Sequence, residues 1–136
     1  MLSVEIITPQ RLVQKSKGDL LIVPTTTGVL GIRSGHLPLV ASLKAGEIEI
    51  RSDDQEESEF LVVSGGFLEI INDHVRILAD SAERADELDE IAIKEAIERA
   101  RRLKEDTKDR HQLGEATVLI EMNLARLKVA QKRRKY

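Results

Sequence analysis

Asp89, Arg99 and Arg126 are the side chains whose types and placement best suit specific chemistry. If the two stretches that carry them fold as antiparallel helices, one acid and two forked guanidinium groups could converge on a polyphosphate. Charges on solvated helix faces give the same pattern with no ligand, and the residues alone favour that plainer reading. The other candidates are weaker. The run Thr26-Thr27-Gly28-Val29-Leu30-Gly31-Ile32-Arg33-Ser34-Gly35-His36-Leu37-Pro38-Leu39 is rich in turn residues, but it lacks GxxxxGK[ST] and no helix start follows to receive an anion. Strand corners account for its glycines. His36 has no second histidine or carboxylate at metal spacing, and His74 and His111 are isolated as well. Ser64 sits before Gly65-Gly66, whereas a nucleophile elbow needs flanking glycines and a following helix. Glu56, Glu57 and Glu59 read as an exposed acidic loop, not as an acid–base pair. No serine–histidine–acid constellation can be assembled, so the sequence reads as non-catalytic and as working by binding.

Composition narrows the setting. With 136 residues the chain suits one compact domain with an appendage. The absence of cysteine rules out disulfides and thiolate metal sites and fits a reducing compartment. Residues 1–10 lack a basic region followed by an apolar stretch, and no apolar run approaches the roughly 20 residues of a membrane span, so a soluble chain is expected. Residues 1–86 carry eight basic and fourteen acidic side chains, and residues 87–136 carry thirteen and ten, which gives the halves opposite net charge. Phe60, Phe67 and Tyr136 are the only aromatics, so the basic end has no stacking platform and nucleic acid is not expected as a partner.

The elements that would hold these residues change character near Asp80. Before it, nine short apolar runs alternate with turn signals: residues 2–8, 12–14, 18–25, 28–32, 37–42, 46–51, 59–63, 66–71 and 74–78. Ile48 and Ile50 share one face of a strand, and Asn72-Asp73 makes a tight turn. So many strands with no helix between them point to a sandwich or barrel. After Asp80, Ala, Glu, Arg and Leu dominate. Asp86 or Asp89 can cap a first helix with the stripe Ile93, Ala96, Ile97, Ala100 and Leu103. Residues 104–110 form the connection, and Leu113, Ala116, Ile120, Leu124 and Leu127 make a second stripe. Together they predict an antiparallel hairpin that buries too little by itself and depends on docking elsewhere.

Three segments taken in order carry a resemblance: residues 28–39, Val62-Val63-Ser64-Gly65-Gly66-Phe67-Leu68-Glu69 and Ala82-Glu83-Arg84-Ala85. Along its whole length the chain resembles the epsilon-subunit family of F-type ATP synthases. The resemblance implies a ten-stranded β-sandwich over 1–84 that binds the gamma subunit and the c-ring, followed by a regulatory helical hairpin over 85–136. It implies a non-catalytic place in the central stalk, coupling rotation and proton translocation to ATP synthesis while the hairpin inhibits hydrolysis. It further implies contact with the alpha and beta subunits, and a peripheral position on the cytoplasmic face of the bacterial cell membrane, held there only through the complex. Interface candidates are Val29, Arg33 and His36, with Val29 standing where some relatives carry an acid. Inhibitory contacts fall to Arg126, Lys128, Lys132, Arg133 and Arg134. Some relatives bind ATP between hairpin and sandwich. Glu83, Leu88, Asp89, Arg99 and Arg126 match that site, but Ala92 and Met122 replace arginines, so no cofactor and weak or absent ATP binding are expected. A nucleotide-sensing module is the alternative.

Overall fold

The computed structural model describes the backbone of residues 1–135 and the side chains of residues 1–132. Its strands are β1 (Leu2–Ile7), β2 (Leu12–Gly18), β3 (Leu20–Thr25), β4 (Gly28–Arg33), β5 (Leu39–Leu43), β6 (Gly46–Arg51), β7 (Glu59–Val63), β8 (Gly66–Ile71), β9 (His74–Ala79) and β10 (Ala82–Arg84). A 3-10 turn, Ala85–Glu87, leads into α1 (Glu90–Asp106) and α2 (Arg110–Lys135). The hydrogen-bonded order β10-β7-β6-β3-β5-β8-β9-β1-β2, with β4 on the far side of β3, folds into two five-stranded layers. A single residue pair, Thr25 with Leu43, joins them through β3 and β5. One layer is β4-β3-β6-β7-β10 and the other is β5-β8-β9-β1-β2.

Alternation decides which side chains go between the layers. Leu2, Val4 and Ile6 on β1 and Val75, Ile77 and Ala79 on β9 point inward, while the residues between them stay at least partly exposed. Asn72 and Asp73 both adopt positive φ (50° and 64°), the backbone that a two-residue turn between twisted antiparallel strands needs.

Beyond shifts of one or two residues at strand ends, such as 37–42 for Leu39–Leu43, the strands differ from the periodicity reading in two places. β10 was absent from the nine apolar runs because three residues with one apolar member carry no period; it pairs with β7 through the backbone instead. β2 continues through Lys15-Ser16-Lys17, which reads as polar turn chemistry but is an edge strand with outward lysines, a common way to blunt a sheet edge.

Of the two possible caps, Asp89 caps α1: its Oδ1 accepts from the N–H of Ile91 (3.0 Å) and Ala92 (3.3 Å). Thr107 Oγ1 accepts from the N–H of Asp109, and Asp109 Oδ1 from that of His111, which starts α2 after a short connection. Ile93, Ile97 and Ala100 are buried as the stripe predicts, but Leu103 emerges at the end of α1. In α2 the expected Leu124 is exposed (44%) and Asn123 takes the buried place (6%). The stripe misleads there because α2 has two partners, α1 on one side and the sandwich on another, so its buried positions do not form one line. Among the described residues no helix is long and apolar enough to cross a membrane.

Between β7 and β8 the backbone leaves no room for a side chain. Gly66 has φ +138°, and a Cβ there would lie 2.1 Å from the Leu78 carbonyl oxygen. Gly66→Ala should therefore lower unfolding stability by about 3 kcal/mol, read as a urea-midpoint shift. Gly114→Ala in α2, where nothing lies within 4 Å, should raise it by about 0.5–1 kcal/mol. Equal midpoints for the two variants would contradict this backbone geometry.

Candidate functional site

The functional geometry is a seam between α2 and the outer face of β6, β7 and β10. β7 carries four apolar residues in succession, Phe60 to Val63, so Leu61 and Val63 fill the sandwich and Val62 is left pointing out. Val62 is nevertheless fully buried, because the hairpin lies over it. A second small core forms there from Val62, Leu88, Ile93, Ile97, Val129 and Ala130, edged by Phe60, Met122 and Ala125.

Carboxylates flank this core in register. Val62 pairs with Glu83 on β10 and with Glu47 on β6, so Glu83, Val62 and Glu47 form one row across three strands. On α2, Arg126, Val129 and Lys132 follow at steps of three, on one side of the helix. Arg126 Nη2 donates to Glu83 Oε2 at 2.9 Å, and Lys132 Nζ donates to Glu47 Oε1 at 2.5 Å. The fit is metric: two strand spacings are about 9.6 Å and six helical residues rise about 9 Å. Lys132 Nζ also stands 4.9 Å from the centroid of the Phe60 ring, and Lys128 approaches Glu47 Oε2 at 3.9 Å.

The seam's remaining polar groups are unevenly satisfied. Asn123 Nδ2 donates to the Leu119 carbonyl (2.8 Å) and its Oδ1 accepts from Arg126 Nη1 (2.7 Å), which ties the hairpin interior to the Glu83 contact. Arg126 Nε and Glu47 Oε2 are buried with no hydrogen-bond partner among the described residues. Burial pushes the Glu49 carboxyl up, but hydrogen bonds from Ser58 and Arg51, together with the charges of Arg51 and Lys132, hold it below the usual carboxylate range. At the hinge between sandwich and hairpin, Glu87 receives Arg11 (3.0 Å) and Arg84 (3.1 Å). Burial again opposes ionisation there, and the Arg11 hydrogen bond and the Arg84 N–H outweigh it.

The five candidate nucleotide residues are distributed over other tasks. Glu83 and Arg126 are brought together, but as a pair with each other. Leu88 lies in the second core and Asp89 caps α1. Arg99 sits on the exposed side of α1 and makes no ion pair among the described residues. Ala92 is exposed, and Met122 packs against the second core. Val29 (75% exposed) and Arg33 lie on the edge strand β4, and His36 follows in a turn. That turn is anchored to the β8–β9 hairpin: Ser34 Oγ and the Gly35 N–H (2.7 Å) both bond Asp73. The Gly35 and Ser34 hydrogen bonds hold the Asp73 carboxyl below its usual range. Of the five proposed inhibitory cations, Arg126, Lys128 and Lys132 face the sandwich carboxylates; the side chains of Arg133 and Arg134 lie outside the described residues.

Sequence reasoning missed Glu47, Phe60, Val62 and Asn123. The run Leu61-Val62-Val63 held a usable signal for one of them, since unbroken apolar residues mark a strand covered on both faces. Glu47 gave none, because its importance comes from register with Val62 and contact with a residue far along the chain.

Comparisons with known proteins fit this architecture. The family model for the ATP synthase delta/epsilon chain β-sandwich domain matches residues 1–85. The ATP synthase epsilon chain of Dehalococcoides mccartyi is 40% identical, over 99% of this chain and 96% of that one. Its counterpart in Syntrophobacter fumaroxidans is 37% identical, with 96% of each covered. Among solved structures, a chain of the Euglena gracilis mitochondrial ATP synthase superimposes with a TM-score of 0.80 over 99% of this chain and 81% of its own length, at 18% identity, which shows the shared fold.

The seam predicts its own sensitivity. Glu47→Ala removes the acceptor of Lys132 and costs about 1 kcal/mol of docking after solvent screening, or roughly a fivefold larger undocked population. Faster amide exchange at Val62, with core strand β1 unchanged, is the expected readout; unchanged exchange at Val62 would show that the pair contributes nothing to docking.

Proposed function

The chain belongs to the ATP synthase epsilon chain family, and from that premise we propose that it is a non-catalytic central-stalk subunit whose hairpin is a detachable brake on ATP hydrolysis. In this reading the sandwich is the fixed part. It holds the gamma subunit and rests on the c-ring, with Val29, Arg33 and His36 as contact candidates, and it couples rotation to proton translocation. The membrane is met only through the complex, on its cytoplasmic face.

The observation that carries the brake is the seam. Its apolar centre is small, two charged contacts flank it, and two buried polar atoms lack partners, so docking is a modest free-energy difference and not a permanent fusion. Arg126, Lys128 and Lys132 bind carboxylates of the sandwich in the docked state. On release the same cations are free for acidic loops of the alpha or beta subunits, and Arg133 and Arg134 extend the basic end. A hairpin that exchanges one set of carboxylates for another needs little net energy to switch.

Removal of α2 tests this directly. The reconstituted enzyme with a chain ending after Arg110 should hydrolyse ATP faster than the enzyme with the full chain, and equal rates would sink the inhibitory role.

The nucleotide-sensing alternative is disfavoured by the same contacts. A polyphosphate would have to displace Glu83 from Arg126, and Ala92 and Met122 supply no donor. Each missing charged hydrogen bond costs about 1.5–3 kcal/mol. Titration calorimetry with ATP is therefore expected to give no heat of binding below about millimolar concentration; a sub-millimolar dissociation constant would restore the alternative.

A further inference from the structure

The connection between β1 and β2 reaches across to the hairpin. Thr8 and Arg11 close that turn on each other. The Thr8 N–H donates to the Arg11 carbonyl at 2.9 Å, and the Thr8 hydroxyl donates to the same oxygen at 3.3 Å and accepts from the Arg11 N–H at 3.4 Å. Next to the turn the ladder slips between Ile6 and Ile7, so Val13 is the extra residue of a bulge, and it is buried in the sandwich. The backbone that carries Arg11 is therefore fixed on both sides. Its side chain projects from there and remains half exposed.

That side chain ends on the segment where the sandwich gives way to the hairpin. Arg11 Nη2 lies 3.0 Å from each carboxylate oxygen of Glu87. Glu87 also accepts from the Arg84 N–H at 3.3 Å and pairs with Arg84 Nη2 at 3.1 Å, so two guanidinium groups share one carboxylate. The two partners are not equivalent. Arg84 is three residues from Glu87, and its contacts belong to the 3-10 turn itself. Arg11 is 76 residues away and lies in the sandwich layer that α2 does not cover. If the segment turns, the Arg84 contacts travel with it and the Arg11 contact breaks.

Three consecutive residues pass this constraint to the helices. Glu87 is held by Arg11, Leu88 is buried in the second core and Asp89 caps α1. Holding Glu87 limits the direction in which α1 leaves the sandwich. With 17 residues α1 rises about 25 Å, so slack at its start grows along its length and is shared with α2, which packs against it. The hairpin is attached at two places, to one layer through Arg126 and Lys132 and to the other through Glu87. Two attachments on one body keep each other within reach, and loss of either dilutes the other. We propose that Arg11 is a positioning residue for the hairpin: acting through Glu87, it aims α1 so that Arg126 and Lys132 stay on their carboxylates, and breaking the Arg11–Glu87 pair releases both helices more often. Its consequence for ATP hydrolysis rests on the brake reading proposed above.

The chain contains no cysteine, so Lys44→Cys on the sandwich and Glu121→Cys on α2, both at exposed positions, accept a pair of spin labels with no background. The label-to-label distance in the full-length chain then separates docked from released hairpin. Arg11→Ala should enlarge the long-distance fraction about threefold, as loss of an exposed ion pair allows. Arg11→Lys, which keeps the charge and the reach, should restore most of the docked fraction. In a Glu87→Gln background Arg11→Ala should add nothing further, because the two residues act as one contact. An unchanged distribution in Arg11→Ala, or an equal increase with Glu87→Gln already present, overturns the proposal. In the reconstituted enzyme Arg11→Ala should also slow ATP hydrolysis, since more hairpin is free to reach the headpiece. A larger long-distance fraction with hydrolysis unchanged supports the positioning role and counts against the brake instead.

Discussion

Everything that distinguishes this chain from an isolated β-sandwich depends on one outward-facing valine. Val62 has the sandwich behind it and carboxylates on either side, Glu83 and Glu47, in strict register. A side chain of that size gains about 1.5–3 kcal/mol when it leaves water. The hairpin supplies the cover, and the carboxylates fix where the cover can sit. Only a helix that presents cation, apolar residue and cation at steps of three matches the row, and Arg126, Val129 and Lys132 do so. The position of α1 follows, because α1 packs on α2 and starts from a hinge held by Arg11, Arg84 and Glu87.

Local sequence revealed much of the fold and little of this seam, for physical reasons. Strand periodicity is a property of neighbours, so Leu2, Val4 and Ile6 declare their face without reference to anything distant. Cap chemistry is equally local, and the residues alone narrow the cap to Asp86 or Asp89, of which Asp89 is the one used. Pairing across 43 or 85 residues, as in Arg126 with Glu83 and Lys132 with Glu47, leaves no local trace. Asn123 was missed for a related reason. A buried polar residue in a helix seam is tolerated only when its hydrogen bonds are met, and those bonds, to Leu119 and Arg126, become visible only with the fold. The candidate nucleotide residues show the limit of position-by-position matching: Glu83 and Arg126 do meet, but each is the other's partner.

The two outer faces of the sandwich are built differently. One layer presents carboxylates around an apolar centre and is covered by a basic helix of the same chain. The other presents an alternating row of Glu69, Arg76, Glu5 and Lys15 beside an apolar row of Phe67, Leu78, Ile7 and Leu12. Two of the sandwich's acids, Glu47 and Glu83, lie where its own hairpin sits.

Charged flanks also suit the detachable hairpin proposed above. A seam made only of large apolar side chains would expose all of them on release, at about 25 cal/mol for each Å² returned to water. An ion pair behaves differently: its members lose their mutual attraction but regain hydration, so the two states remain close in free energy. Arg126 and Lys132 therefore specify the docked register strongly while contributing only modestly to its stability. Val62, small and single, supplies a modest apolar burial at the centre of this seam.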